Sequence, residues 1–157
     1  MSQHRRLRRL DAIWISPAIY FVTLCAAQRR PIFANPGAFS ILLAEFSGVS
    51  RRSGWRIGRF VVMPDHVHFF CASEETPTSA TLSRCVGAIK QWTAKSMAAD
   101  FGLQAPIWQK QFFDHLLRTR ESYENKWRYV YENPVRAGLA ARAADWPYAG
   151  EIDILER

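Results

Sequence analysis

Two histidines one residue apart, His66-Val67-His68, are the first residues in this chain whose types and spacing could do chemistry. On an extended strand the side chains at i and i+2 leave the same face, so both imidazoles project together while Val67 goes to the other side. Two nitrogen donors make half of a metal site, and a catalytic site needs a third ligand. Without one, the triplet is an ordinary hydrogen-bonded pair. Further along, Tyr129 and Asn133 are four residues apart, one helical turn, about 6 Å along the axis. If their helix covers the histidines, the Asn133 amide oxygen completes a two-His, one-oxygen set, and the Tyr129 hydroxyl stands beside the ion. Such a mixed set suits Mg²⁺ or Mn²⁺ polarising a phosphoryl oxygen. Tyrosine is then the nucleophile. A free phenol has a pKa of about 10, so it needs a cation or base nearby, and its attack on a phosphodiester leaves a covalent phosphotyrosine. The same spacing also describes a packed aromatic and a C-terminal helix cap. Tyr131 lies about 200° further round the helix and Tyr123 about 120° away in the other sense, so neither shares the Tyr129 position. His115, beside Asp114, reads either as a core residue or as a helper near a phosphate.

The elements that must position these side chains follow from periodicity. Residues 19–24 form a β-branched and aromatic strand, and Phe39, Leu42, Leu43, Phe46 and Val49 recur at helical spacing. Strands over 55–63 and 66–72, joined at Pro64-Asp65, read as a hairpin. Thr78 or Ser79 caps a helix carrying Leu82, Val86, Ile89, Trp92 and Met97 that runs to Gly102. A short strand lies near 109–117, and a last helix opens at 119–122 and stops at Asn133 before Pro134. The order is βαββαβ: an α+β, ferredoxin-like antiparallel sheet with an additional C-terminal helix carrying the candidate nucleophile. Many functions use that plan, so function must come from the site.

At 157 residues the chain has room for one domain. Its organisation reads as a basic N-terminal arm over 1–18, a domain over 19–149 and a short tail over 150–157. Three cysteines without C-x-x-C spacing argue for free buried thiols, and cytoplasm is the expected compartment. A basic run followed by apolar residues 12–27 imitates a secretory leader, but Asp11, Ser16, Pro17 and Thr23 interrupt it. It is also too short to span a bilayer, and no membrane partner is expected. The net charge of +7 is unevenly placed, since residues 1–60 hold ten arginines against Asp11 and Glu45. A basic half of this kind expects a polyanion.

Four blocks of residues carry a resemblance: Tyr20-Phe21-Val22-Thr23; Met63-Pro64-Asp65-His66-Val67-His68; Trp108-Gln109 with Phe112-Phe113-Asp114-His115; and Glu121-Ser122-Tyr123 through Tyr129 to Asn133-Pro134-Val135-Arg136-Ala137-Gly138-Leu139. Their order and content resemble the REP-associated tyrosine transposases, a branch of the single-tyrosine HUH transposases, over about residues 19–149. The chain departs from that pattern at Ser16-Pro17-Ala18, where relatives often carry a Pro-Gly turn. The resemblance implies that His66 and His68 bind a divalent ion, Mg²⁺ or Mn²⁺, with Asn133 as third ligand, and that Tyr129 is the nucleophile. It implies cleavage of single-stranded DNA beside a palindromic repeat hairpin, a 5′-phosphotyrosine link, a free 3′-hydroxyl and no nucleotide cofactor, by a monomer or a homodimer. Arg5, Arg6, Arg8 and Arg9 would form an arm on the DNA, and Arg51, Arg52 and Arg56 a second patch. Two other classes compete. A binding module would grip structured DNA or RNA without cutting it, and a small-molecule hydrolase would share the histidines but have no use for the arginines.

Overall fold

The computed structural model of the chain describes residues 14–73 and 79–156. Strand β1 (Trp14–Cys25) leads to helix α1 (Pro36–Arg52), the hairpin β2 (Trp55–Val62) and β3 (His66–Ser73), helix α2 (Ser79–Phe101) and strand β4 (Phe113–Thr119). Helix α3 (Arg120–Tyr131), the one-turn helix α4 (Asn133–Arg136) and strand β5 (Ala149–Glu151) complete it. The sheet is antiparallel in the order β4-β1-β3-β2-β5. Its first four strands have the expected βαββαβ connection, and β5 extends it.

Three boundaries differ from the sequence expectation. β1 begins at Trp14, inside the segment read as an arm, and its pairing with β4 shifts register between Trp14 and Ile19. Pro17 lies in that interval, and a residue with no N–H is tolerated where the ladder is interrupted. The apolar stretch that imitates a leader is thus largely the β1 strand. The residues read as a tail are also part of the fold: β5 pairs with β2, covering an otherwise open edge. Leu155 is buried against Gly58, where an added Cβ would come within 2.6 Å of it. Finally, β4 starts at Phe113 rather than near 109, and Trp108 makes only an isolated bridge to Ala26. Thr78 lies outside the described residues, and Ser79 is the first residue of α2.

Alternation along the strands divides the core. Tyr20, Val22, Leu24, Val67, Phe69 and Cys71 face α1 and α2, while Ile19, Phe70, Ala72 and Leu117 face α3. A bulge in β2 between Ile57 and Phe60 resets its alternation. Phe60 therefore joins the first face and Val61 the second. Cys25, Cys71 and Cys85 are free and buried. Among the described residues no helix is long and apolar enough to cross a membrane.

The turn that leads into His66 is held from outside the hairpin. Ala26 N–H donates to the Asp65 carbonyl (2.9 Å) and Phe33 N–H to the Pro64 carbonyl (3.0 Å). Phe33 in turn stacks on Trp108, ring centroids 4.3 Å apart. The Trp108 indole N–H donates to Thr93 Oγ1 (2.9 Å), which donates to the Ile89 carbonyl (2.7 Å). Thr93→Val keeps the shape and strands the buried indole N–H, so the variant is expected to lose about 1–3 kcal/mol in a denaturant titration.

Candidate active site

His66 and His68 sit at the start of β3 on the face covered by α3, with ring centroids 4.7 Å apart. Each ring is fixed through Nδ1. His66 Nδ1 is 2.7 Å from Asp65 Oδ1, and because a carboxylate only accepts, this nitrogen carries the proton and Nε2 is the ring nitrogen that can offer a lone pair. His68 Nδ1 is 2.8 Å from Thr23 Oγ1 on the neighbouring strand. The Phe21 ring stacks on His68, centroids 5.2 Å apart.

Both Nε2 atoms converge on the Asn133 amide: Nδ2 lies 3.1 Å from His68 Nε2 and 3.4 Å from His66 Nε2. Rotation of the amide by half a turn would present Oδ1 to the same point. The sequence of α3 explains how Asn133 arrives there. Thr119 Oγ1 accepts from Ser122 N–H and caps the helix. Tyr123, Trp127 and Val130, spaced by four and three, then form a seam against Phe70, Phe21, Val61 and Met63. Asn133, three residues beyond Val130, continues that seam. Pro134 has no N–H, and the chain breaks at Glu132 into the short α4 without leaving the sheet.

Tyr129 is on the rim of the same helix. It is 63% exposed, and the Arg136 guanidinium stacks over its ring at 3.8 Å while donating to its carbonyl (2.6 Å). Asn133 is therefore turned in and Tyr129 out, though Tyr129 lies in the last turn of α3 and Asn133 only two residues beyond that helix, at the start of α4. Tyr123 is fully buried, and burial pushes its phenol well above the usual range. Tyr131 packs on Trp127, centroids 5.2 Å apart. His115 is exposed on β4.

Electrostatics set the state of His68. Burial first, then His66, Lys126, Arg136 and Arg29, hold the His68 imidazole down to about 3, so it is neutral at pH 7. Burial pushes the Asp65 carboxyl up, but hydrogen bonds from His66 and Arg29 outweigh it and hold the group below its usual value. Arg29 Nε donates to Asp65 Oδ2 at 2.9 Å. It does so from a left-handed backbone, with φ of 59° at Gln28 and 53° at Arg29. Such conformations are costly for side-chain-bearing residues and collect at functional sites.

Thr23, Asp65, Arg29, Lys126 and Arg136 were given no role from sequence. Thr23 lies in the Tyr20–Thr23 segment and Asp65 next to His66, so strand register and adjacency are the signals in the sequence that point to them. Of the predicted DNA-contacting arginines, the three that are described are not gathered at the histidines. Arg5, Arg6, Arg8 and Arg9 lie outside the described residues. Arg51 and Arg52 end α1 on the opposite side of the sheet, and Arg52 pairs with Glu45 at 2.7 Å. Arg56 pairs in register with Ala72, six residues along β3 from His66, about 20 Å at strand rise.

The chemistry of the donor set suits a divalent ion. Two imidazoles converge through their Nε2 atoms on a side chain that offers an oxygen, and second partners orient both rings. These residues fit the ion.

Comparison with known proteins gives the same fold. A family model described as "Transposase IS200 like" matches residues 15–132. The chain is 28% identical over 149 residues to the REP-associated tyrosine transposase of Escherichia coli (strain K12), covering 95% of this chain and 82% of that protein. A solved structure of a REP-associated tyrosine transposase bound to a REP hairpin superposes with a TM-score of 0.69 at 24% identity, covering 87% of this chain and 78% of that one.

Proposed function

The chain belongs to the IS200-like transposase family, and from that premise we propose that it nicks and rejoins single-stranded DNA beside palindromic hairpins through Tyr129. The hairpin partner is carried over from the similar proteins described above, one of which was solved bound to a REP hairpin. The observation that carries the reading is the meeting of the Asn133 amide with both imidazole Nε2 atoms, one helical turn beyond Tyr129.

His66, His68 and Asn133 would hold a divalent cation, Mg²⁺ or Mn²⁺. When bound, such an ion supplies positive charge against the phosphoryl oxygens. Asp65 and Thr23 keep both Nε2 atoms aimed at one point. Arg29, Lys126 and Arg136 make the surroundings cationic, which draws a phosphodiester. Tyr129 Oη attacks the phosphorus. The Oη–P bond forms, the P–O3′ bond breaks, the phenol proton passes to solvent and the departing 3′ oxygen takes one up. The phosphotyrosine retains a bond that an incoming 3′-hydroxyl can displace, which releases Tyr129 and requires no nucleotide cofactor. The arginine-rich first half adds affinity by neutralising phosphates, and this contribution weakens with salt.

The experiment mixes the protein with a 5′-labelled and a 3′-labelled hairpin oligonucleotide and Mg²⁺ or Mn²⁺. Transfer of one label to a detergent-resistant protein band is expected. A wild type that binds hairpins under every metal condition and never forms the band makes the chain a binding module instead. The orienting contacts have their own test: Asp65→Asn and Thr23→Val are each expected to weaken Mn²⁺ binding, read by calorimetry, by roughly 10–100-fold.

A further inference from the structure

Phe113 is the most exposed of the large exposed hydrophobics among the described residues, 68% in solvent, on an edge strand. Folding gives no reason for a phenyl ring there, since unpaired strand edges favour polar or charged side chains. Its place in the sheet does. Phe113 pairs in register with Thr23, and Thr23 with His68, whose Nδ1 it holds. Residues directly opposite on antiparallel strands share a face. Phe113, Thr23 and His68 therefore form one row, and two strand spacings put the phenyl-bearing residue roughly 10 Å from the histidine. The next row is His115, Phe21 and Phe70, with Phe21 stacked on His68 and Lys126 Nζ 5.1 Å over the Phe21 ring. Asp114, between them, pairs with Val22 on the opposite face. The site face thus continues from the imidazoles to the sheet edge as aromatic rings beside a cation, the combination that binds unpaired nucleotides.

Resting on the reading above, we propose that Phe113 is a stacking platform for the unpaired base that flanks the cleaved phosphate. A phosphate at the histidines leaves its neighbouring nucleotide within the span of this row. The edge, open among the described residues, gives that base room to lie flat on the ring, with Lys126 beside the backbone. Stacking of this kind tolerates any base, so the platform would set the path of the strand rather than its sequence.

The test measures, by fluorescence anisotropy in EDTA, binding of a hairpin with a single-stranded tail on either side and of a series with each tail position abasic in turn. For wild type, one abasic position is expected to weaken binding by roughly 10-fold. Phe113→Ala is expected to lose the same factor on the intact tail and nothing more at that position, and Phe113→Trp to bind as wild type. Thermal melts confirm that the variants are folded. Equal losses for Phe113→Ala on intact and abasic tails, or no loss, overturn the platform. Adduct formation is assayed in parallel. An adduct without this coupling leaves the nuclease reading standing and the platform overturned, while coupling without an adduct does the reverse. A wild type that binds no tailed hairpin overturns both.

Discussion

Tyr129→Phe is expected to abolish the covalent protein–DNA band and to slow strand cleavage by a factor on the order of 10⁴ or more, while hairpin affinity stays within about twofold. The substitution removes one oxygen, and that oxygen is the proposed nucleophile. Nothing else should change. The ring is mostly in solvent and keeps its stack under Arg136, so the fold and the cationic surroundings persist. The two neighbouring tyrosines provide controls within the same helix. Tyr131→Phe should cleave normally because its ring packs on Trp127. Tyr123→Phe should also cleave, since its phenol is enclosed beneath α3 and cannot reach a substrate. A band that survives in Tyr129→Phe and disappears in either control moves the nucleophile there.

The second large effect is expected at the imidazoles. His66→Ala and His68→Ala should each lower Mn²⁺ affinity, measured by calorimetry without DNA, by at least about 100-fold, more than loss of an orienting partner costs. Metal-dependent adduct formation should fall with it. The His68 ring stacks on Phe21, so its truncation also leaves a gap under Phe21, and a melt must accompany it. Asn133 separates ligation from simple packing. Asn133→Asp keeps an oxygen at the point where both Nε2 atoms meet and should retain Mn²⁺ binding, whereas Asn133→Ala should lose it. Unchanged Mn²⁺ affinity in Asn133→Ala would remove the amide from the set.

Local rules made much of this protein legible before any coordinates. Periodicity of two made His66 and His68 neighbours on one face, and that face is where they lie, because a strand allows no other arrangement. Periodicity of 3.6 marked α1 and α3, and in the structure the side chains of Asn35 and Thr119 cap their first turns. The alternation of elements then led to βαββαβ. The residues that orient the site were not legible in the same way. Thr23 reaches His68 from 45 positions away, through the β1–β3 register, and Arg29 reaches Asp65 from 36 positions away, through a left-handed turn that no residue type announces.

Spacing also placed Tyr129 and Asn133 on one helical face, and packing divided them. The Tyr123–Trp127–Val130 seam fixes the rotation of α3 on the sheet, which carries Asn133 inward and leaves Tyr129 on the rim. The segment after 149 lacked any strong pattern, and it became a strand only because β2 had an open edge to pair with. The chain by itself therefore determined which side chains could do chemistry and the elements that carry them. Tertiary structure alone decided which of them meet, since a helix's rotation and a strand's partner are set by burial of distant surfaces, a quantity no local stretch of residues contains.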